Sequence, residues 1–169
     1  MNKNDLRFQK TELAIKSTYI SLKKHGSTVV KVKDLCEAAM INKTTFYAHY
    51  ETIEHLHKAV CMDFVADILN QCEYINRIQT DTHDFVYSLL GAFAENTTTI
   101  EKLYGNDNHA LVNDAENILM EYFIQGDISE DFELSIRFCI GGAFRLLLLE
   151  RDPVRISKTV ELIEKVLAP

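Results

Sequence analysis

The sequence predicts an all-α fold, and three observations carry that expectation. The chain has 169 residues but only two prolines and six glycines, too few for the many tight turns of a sandwich or barrel. Apolar residues recur at helical spacing through nearly its whole length. At 47% apolar and 25% charged, the composition is that of an ordinary globular chain with a sizeable core, which excludes a disordered one.

Each helix has a recognisable stripe or stop. Ile15, Thr18, Tyr19 and Leu22 mark a first helix over about 5–25, with Gly26 as its stop. A short second helix runs from Val32 to Ala39, with Val32, Leu35, Cys36 and Ala39 on one face. Asn42 is a suitable N-cap for a third, Lys43 to His49. Thr52 can cap a long fourth helix reaching about Arg77, with Leu56, Val60, Phe64, Ile68 and Ile75 as apolar positions. Further helices fit 82–95, 97–104, 108–125, 129–151 and 153–167. Gly105 and Gly126 break the pattern, and Pro153 suits a first helical turn. That makes about nine helices, in two parts: 1–50, and a helical body, 51–169.

Charge is uneven along the chain. Residues 1–60 hold ten Lys/Arg against six Asp/Glu, a net of +4, whereas residues 61–169 hold eight against nineteen, a net of −11. A basic end on an acidic body can face phosphates while the body stays solvated. The apolar run Phe138 to Leu149 is interrupted by Arg145 and is too short for a bilayer span. The first residues carry no apolar signal core, so a cytoplasmic location is expected.

Chemistry-bearing motifs are scarce. None of Cys36, Cys61, Cys72 and Cys139 forms a C-x-x-C pair, and Cys61 and Cys72 lie about 16 Å apart along a helix. Buried thiols in a reducing compartment are expected. His55 and His57 are two apart and point away from each other, a poor metal pair. No zinc-binding H-E-x-x-H, phosphate loop or nucleophile elbow appears. No enzyme, metal or cofactor is therefore expected.

Residues 31–50 carry the functional signal. Two short helices meet at a tight turn around Met40 and Ile41, where small Ala38 and Ala39 let them approach. Phe46 and Tyr50 can pin the second helix to the domain. Its other face shows Lys43, Thr44, Thr45, Tyr47 and His49, hydrogen-bonding groups of little bulk near free backbone N–H groups. That combination suits a helix-turn-helix entering a major groove of double-stranded DNA, with phosphates on either side.

Here Leu13 to Val60 resembles the N-terminal domain of the TetR/AcrR transcriptional regulators. The strongest match is Asn42-Lys43-Thr44-Thr45-Phe46-Tyr47-Ala48-His49-Tyr50; Asp34-Leu35-Cys36-Glu37-Ala38-Ala39 resembles the family's second helix. The resemblance implies phosphate contacts from Lys31, Asn42, Tyr47 and His49, with Lys33 a further basic candidate, and base contacts from Lys43, Thr44, Thr45 and Ala48. Three positions depart from the family pattern. The turn glycine is Met40, tolerable only if its φ stays negative. Lys31 replaces a small polar residue, and Ile53 replaces a lysine at the start of the fourth helix.

A palindromic operator needs two recognition helices, hence a homodimer. Phe132, Ile136, Cys139, Ala143 and Leu147 form one candidate interface stripe, and Ile156, Val160, Ile163 and Leu167 another. Together they suit a four-helix bundle, with Gly141-Gly142 leaving room for a close crossing. The resemblance also implies a small-molecule effector pocket in the body, for which Phe64, Phe85, Tyr87, Tyr104 and Tyr122 are the aromatic candidates. The implied function is a repressor released from its operator by that effector. The alternative is a DNA-binding or interaction protein without an effector, controlled by a protein partner.

Overall fold

The structure, a computed structural model, describes residues 5–25, 29–77, 80–105, 107–124, 128–144, 146 and 152–167. Among the described residues there are nine α-helices and no strand. The chain divides into two compact units, residues 1–61 with 98–105, and residues 62–97 with 106–169.

The first unit is built on α1 (Leu6–Lys24), α2 (Val32–Ala38), α3 (Lys43–His49), the start of α4 (Ile53–Asn70) and most of α6 (Thr97–Tyr104). Asp5 caps α1 by accepting the Arg7 N–H at 2.9 Å, and Lys23 and Lys24 complement the dipole at its other end. Phe8, Ile15 and Tyr19 form its buried stripe. With Leu35, Phe46 and Leu56 they make an apolar core. Thr52 caps α4 by accepting the His55 N–H at 3.1 Å.

The turn after α2 departs from expectation. Met40 takes φ +54°, not a negative value. The Ile41 N–H donates to the Cys36 carbonyl at 3.0 Å and the Met40 N–H to Glu37 at 3.3 Å. This paired closure is a Schellman motif, which demands a left-handed residue at Met40. A side chain there costs about 1–2 kcal/mol in backbone sterics. Met40 is 92% exposed, so the strain brings no packing in return. At the end of α6, Gly105 adopts φ +59° without a Cβ to clash.

The second unit holds the rest of α4, a 3₁₀ turn at Ile75–Arg77, α5 (Thr82–Glu95), α7 (Asn108–Ile124), α8 (Glu130–Phe138) and α9 (Pro153–Leu167). α9 packs on α5 and α8, and α7 on α8. Phe85, Val86, Leu89 and Phe93 of α5 are buried, as are Val160, Ile163 and Leu167 of α9. Ser129 caps α8 by accepting the Phe132 N–H, and three acids occupy its first turn. Pro153 opens α9, as its fixed φ favours.

Two expected helices are shorter than their periodicity implies. α4 stops at Asn70 rather than near Arg77. The Gln71 and Cys72 N–H groups bond back to Ile68 and Leu69, three residues away, which tightens the chain into a turn. The bend buries Cys72 and Ile75, so Ile75 reaches the core from the turn. α8 ends at Phe138 and continues as a π-helical stretch, Cys139–Phe144. Gly141 and Gly142 lie in that stretch, where two residues without side chains weaken the ordinary helical repeat.

Candidate nucleic-acid interface

α3 is held by what it buries. Phe46 is fully enclosed. The Tyr50 hydroxyl donates to Glu12 Oε1 on α1 at 3.0 Å, and Lys16 lies 3.2 Å from the same oxygen. Partial burial pushes the Glu12 carboxyl up, but the Tyr50 and Lys16 contacts outweigh it and hold the group below its ordinary range. The His49 ring stacks on Phe8, with centroids 3.8 Å apart. Three attachments, at Phe46, His49 and Tyr50, therefore fix which way α3 faces.

The opposite face is open. Lys43, Thr44, Tyr47 and Ala48 are exposed, Tyr47 to 56%. Lys31 and Lys33 at the start of α2 are exposed too, as is Lys58 on α4. Lys33 pairs with Glu37 at 3.7 Å, a solvent-screened contact worth less than about 1 kcal/mol. Its ammonium is thus readily given up to a phosphate.

Three of the expected contact residues also have structural work. Asn42 Oδ1 accepts both the Thr45 N–H at 2.7 Å and the Thr45 hydroxyl at 2.9 Å. That caps the helix through the Asn42 carbonyl oxygen, so its two contacts to Thr45 do not use the amide N–H groups of this exposed side chain. His49 is half-buried, and its Nδ1 is enclosed without a hydrogen-bond partner. Burial pushes its pKa down, with Glu12 opposing, so the ring is neutral near pH 7 and can address a phosphate only through Nε2. Thr45 and His49 are thus tied within the unit while each stays partly exposed.

Most of the expected interface stripe is core. Ile136 is 1% exposed, and Cys139, Val160, Ile163 and Leu167 are buried with it inside a single chain. Phe132 and Ile156 are half-buried. Leu147 and the Ala143 side chain lie outside the described residues. The surface instead shows Leu134, Phe138 and Leu146 along α8 and its continuation, and Val154, Leu162 and Val166 along α9. Phe138 is 72% exposed. Gly141 and Gly142 face open space. These residues also recur at helical spacing, but each helix carries two apolar stripes, and periodicity does not rank them.

The aromatic candidates are dispersed. Phe85 is buried and Tyr87 is 41% exposed; two residues apart on α5, they point to different sides. Tyr87 lies against His83, with ring centroids 4.6 Å apart. Phe64 is half-buried. Tyr104 belongs to the first unit, where its hydroxyl donates to the Cys61 carbonyl at 3.3 Å. The Tyr122 side chain lies outside the described residues. Among the described residues, no three His, Cys, Asp or Glu side chains are placed to hold a metal, and no helix is long and apolar enough to cross a membrane.

No known family model matches the sequence, and no curated protein sequence does. Solved structures do. A TetR transcriptional regulator from Streptococcus agalactiae 2603V is similar at 23% identity and TM-score 0.56, over 95% of both chains. A TetR family transcription regulator from Marinobacter aquaeolei VT8 shares 14% identity, with TM-score 0.49, over 95% of this chain and 96% of that one. The chain has the all-α fold of the streptococcal regulator.

Proposed function

We propose that this chain is a TetR-type transcriptional regulator, a homodimer that binds a palindromic DNA operator in the cytoplasm and is released by a small-molecule ligand. The observation that carries the DNA-binding reading is the two-sidedness of α3. Phe46, His49 and Tyr50 fasten it, and Lys43, Thr44, Tyr47 and Ala48 face out. Lys43, Thr44 and Ala48 then address base edges. Tyr47, Lys31, Lys33, the Asn42 amide and His49 Nε2 address the sugar–phosphate backbone. Thr45 contributes its methyl and its cap.

The exposed α8 and α9 residues support the dimer. Leu134, Phe138, Leu146, Val154, Leu162 and Val166 are apolar side chains on two helices, and the open surface at Gly141 and Gly142 admits a close partner helix. A palindromic operator calls for two copies of α3 about 34 Å apart, or a multiple of that, and a two-fold dimer supplies the second copy. A ligand acts by favouring a dimer whose α3 spacing no longer fits successive grooves, and its effect is limited by its differential affinity for the two states. The outward direction of Tyr87 favours a second reading, in which no small molecule enters and a protein partner sets activity.

Selection of genomic fragments by the purified protein, followed by gel-shift titration, tests the DNA-binding reading. Tyr47→Ala should weaken binding to every selected sequence, and lowering salt should strengthen wild-type binding steeply. Equal affinities for wild type and Tyr47→Ala, or indifference to salt, overturn it. A thermal-shift screen against metabolites and drugs separates ligand control from partner control.

A further inference from the structure

We propose that Arg7 of α1 is a phosphate anchor for the edge of α3 opposite Lys43, an inference that rests on the proposed function. The outward face of α3 is centred on Thr44 and Ala48, four residues apart. Lys43 and Tyr47 lie along one edge of that face, and Thr45 and His49 along the other. A helix in the major groove has a sugar–phosphate strand beside each edge. The first edge carries the Lys43 ammonium. The second carries a hydroxyl already bonded to Asn42 and an imidazole that burial holds neutral near pH 7. α3 itself therefore brings no permanent charge to the second strand.

α1 brings one. The Phe8 ring stacks on His49 with centroids 3.8 Å apart, which seats the first turn of α1 at this edge. Arg7 is the adjoining residue, its Cα about 3.8 Å from that of Phe8, and it is exposed. Beyond the helical ladder, its bonds run through its backbone. The Arg7 N–H donates to Asp5 Oδ1 at 2.9 Å, and the Arg7 carbonyl accepts from the Thr11 hydroxyl at 2.8 Å. Among the described residues the guanidinium has no acidic partner, whereas Lys16 lies 3.2 Å from Glu12 and Lys33 pairs with Glu37. Lys10, three residues on and also exposed, adds a second positive charge on the same flank. The acids closest to Arg7 along α1 are engaged: Asp5 caps the helix, and Glu12 is bonded to Tyr50 and Lys16.

The chemistry selects a phosphodiester rather than a base edge. A guanidinium presents its donors in a planar fork that matches two phosphate oxygens. Arg7 belongs to a helix beside α3 and not to the one that enters the groove, so the strand at the rim is nearer to it than any base. The contact is blind to sequence. It fixes how α3 sits on the duplex, while Lys43, Thr44 and Ala48 read the bases. His49 Nε2 faces the same strand, so the two residues hold it together, one by charge and the other by a neutral hydrogen bond.

Gel-shift titrations of the full chain on a selected operator, at several salt concentrations, test the anchor. Arg7→Gln should weaken binding about tenfold per half-site, the order of one charge-assisted hydrogen bond, and by the same factor on matched and mismatched operators. The slope of log affinity against log salt should fall by about 0.9 per subunit. Arg7→Lys should restore the slope and only part of the affinity. Both variants should melt at the wild-type temperature. Lys24→Gln removes an exposed charge from the far end of α1, about 25 Å away and beyond the screening length of about 8 Å, and should change nothing. Operators carrying single neutral methylphosphonates locate the contact: at one phosphate in each half-site, wild type should lose affinity and Arg7→Gln should lose none. Wild-type affinity and slope in Arg7→Gln overturn the anchor, as do an equal loss in Lys24→Gln or losses that add at every phosphate. A loss of affinity matched by a lower melting temperature overturns it too, since that marks a structural role. A wild-type chain that binds no DNA overturns the proposed function instead.

Discussion

α3 and the α8–α9 pair pose the same problem with different amounts of information. Each must bury one face and show another. α3 is aromatic on one side and polar on the other, so only one orientation avoids burying Lys43 and exposing Phe46. α8 and α9 are apolar on two sides. Ile136 and Phe138 are both large and apolar, two residues apart, yet one is core and the other surface. Hydrophobicity orients a helix when its faces differ in polarity, and leaves the choice to tertiary packing when they do not.

The sharpest way to break this comparison is to exchange the two stripes. Ile136→Ala should cost about 2–5 kcal/mol of folding stability by leaving a cavity, read by chemical denaturation. Phe138→Glu should leave the subunit folded and convert the proposed dimer to monomer in sedimentation experiments. A stable Ile136→Ala protein that dissociates would mean the stripes had been assigned the wrong way round.

Smaller effects are expected in the first unit. Asn42→Ala removes both bonds to Thr45 and should cost about 1 kcal/mol of stability. Thr44→Ala should leave stability unchanged and relax base preference by about 1–3 kcal/mol, measured on mismatched operators. If Thr44→Ala destabilises the fold instead, the outward face of α3 is misdrawn. Met40→Gly relieves the left-handed strain but loosens the unfolded chain, so a net gain below about 1 kcal/mol is expected in thermal denaturation. A loss of stability would show that the Met40 side chain holds the turn.

The smallest effect is one of pH. Burial pushes the folded pKa of His49 below the ordinary histidine value of about 6.5. As pH falls through 6.5 the unfolded chain takes up this proton first, so stability declines there and the loss is complete below the folded value. His49→Gln should flatten that part of the stability–pH curve. An unchanged slope would mean that the Phe8 stack tolerates the imidazolium.

Much of the fold was legible because its signals are local. The Asn42 cap needs only a residue three places on, and Pro153 or Gly105 acts through its own backbone. The end of α4 was not legible, since Ile75 continues the helical stripe while Cys72 and Ile75 enter the core from a tightened turn. Met40 was misread for a related reason. Avoiding a left-handed φ is a preference of one residue, and two hydrogen bonds closing α2 override it. The attachment of His49 to Phe8 joins residues forty-one positions apart, beyond the reach of any periodicity.

By itself, then, the order of residues determined an all-helical chain, a basic end on an acidic body, and a capped seven-residue segment with one polar face. Only the tertiary structure decided which apolar stripe of α8 and α9 became core, which polar groups of α3 were tied inward, and that the first turn of α1 would meet His49. The reason is one of range. Backbone preference and amphipathic spacing act within a few residues, whereas burial is settled by whatever distant segment arrives to exclude the water.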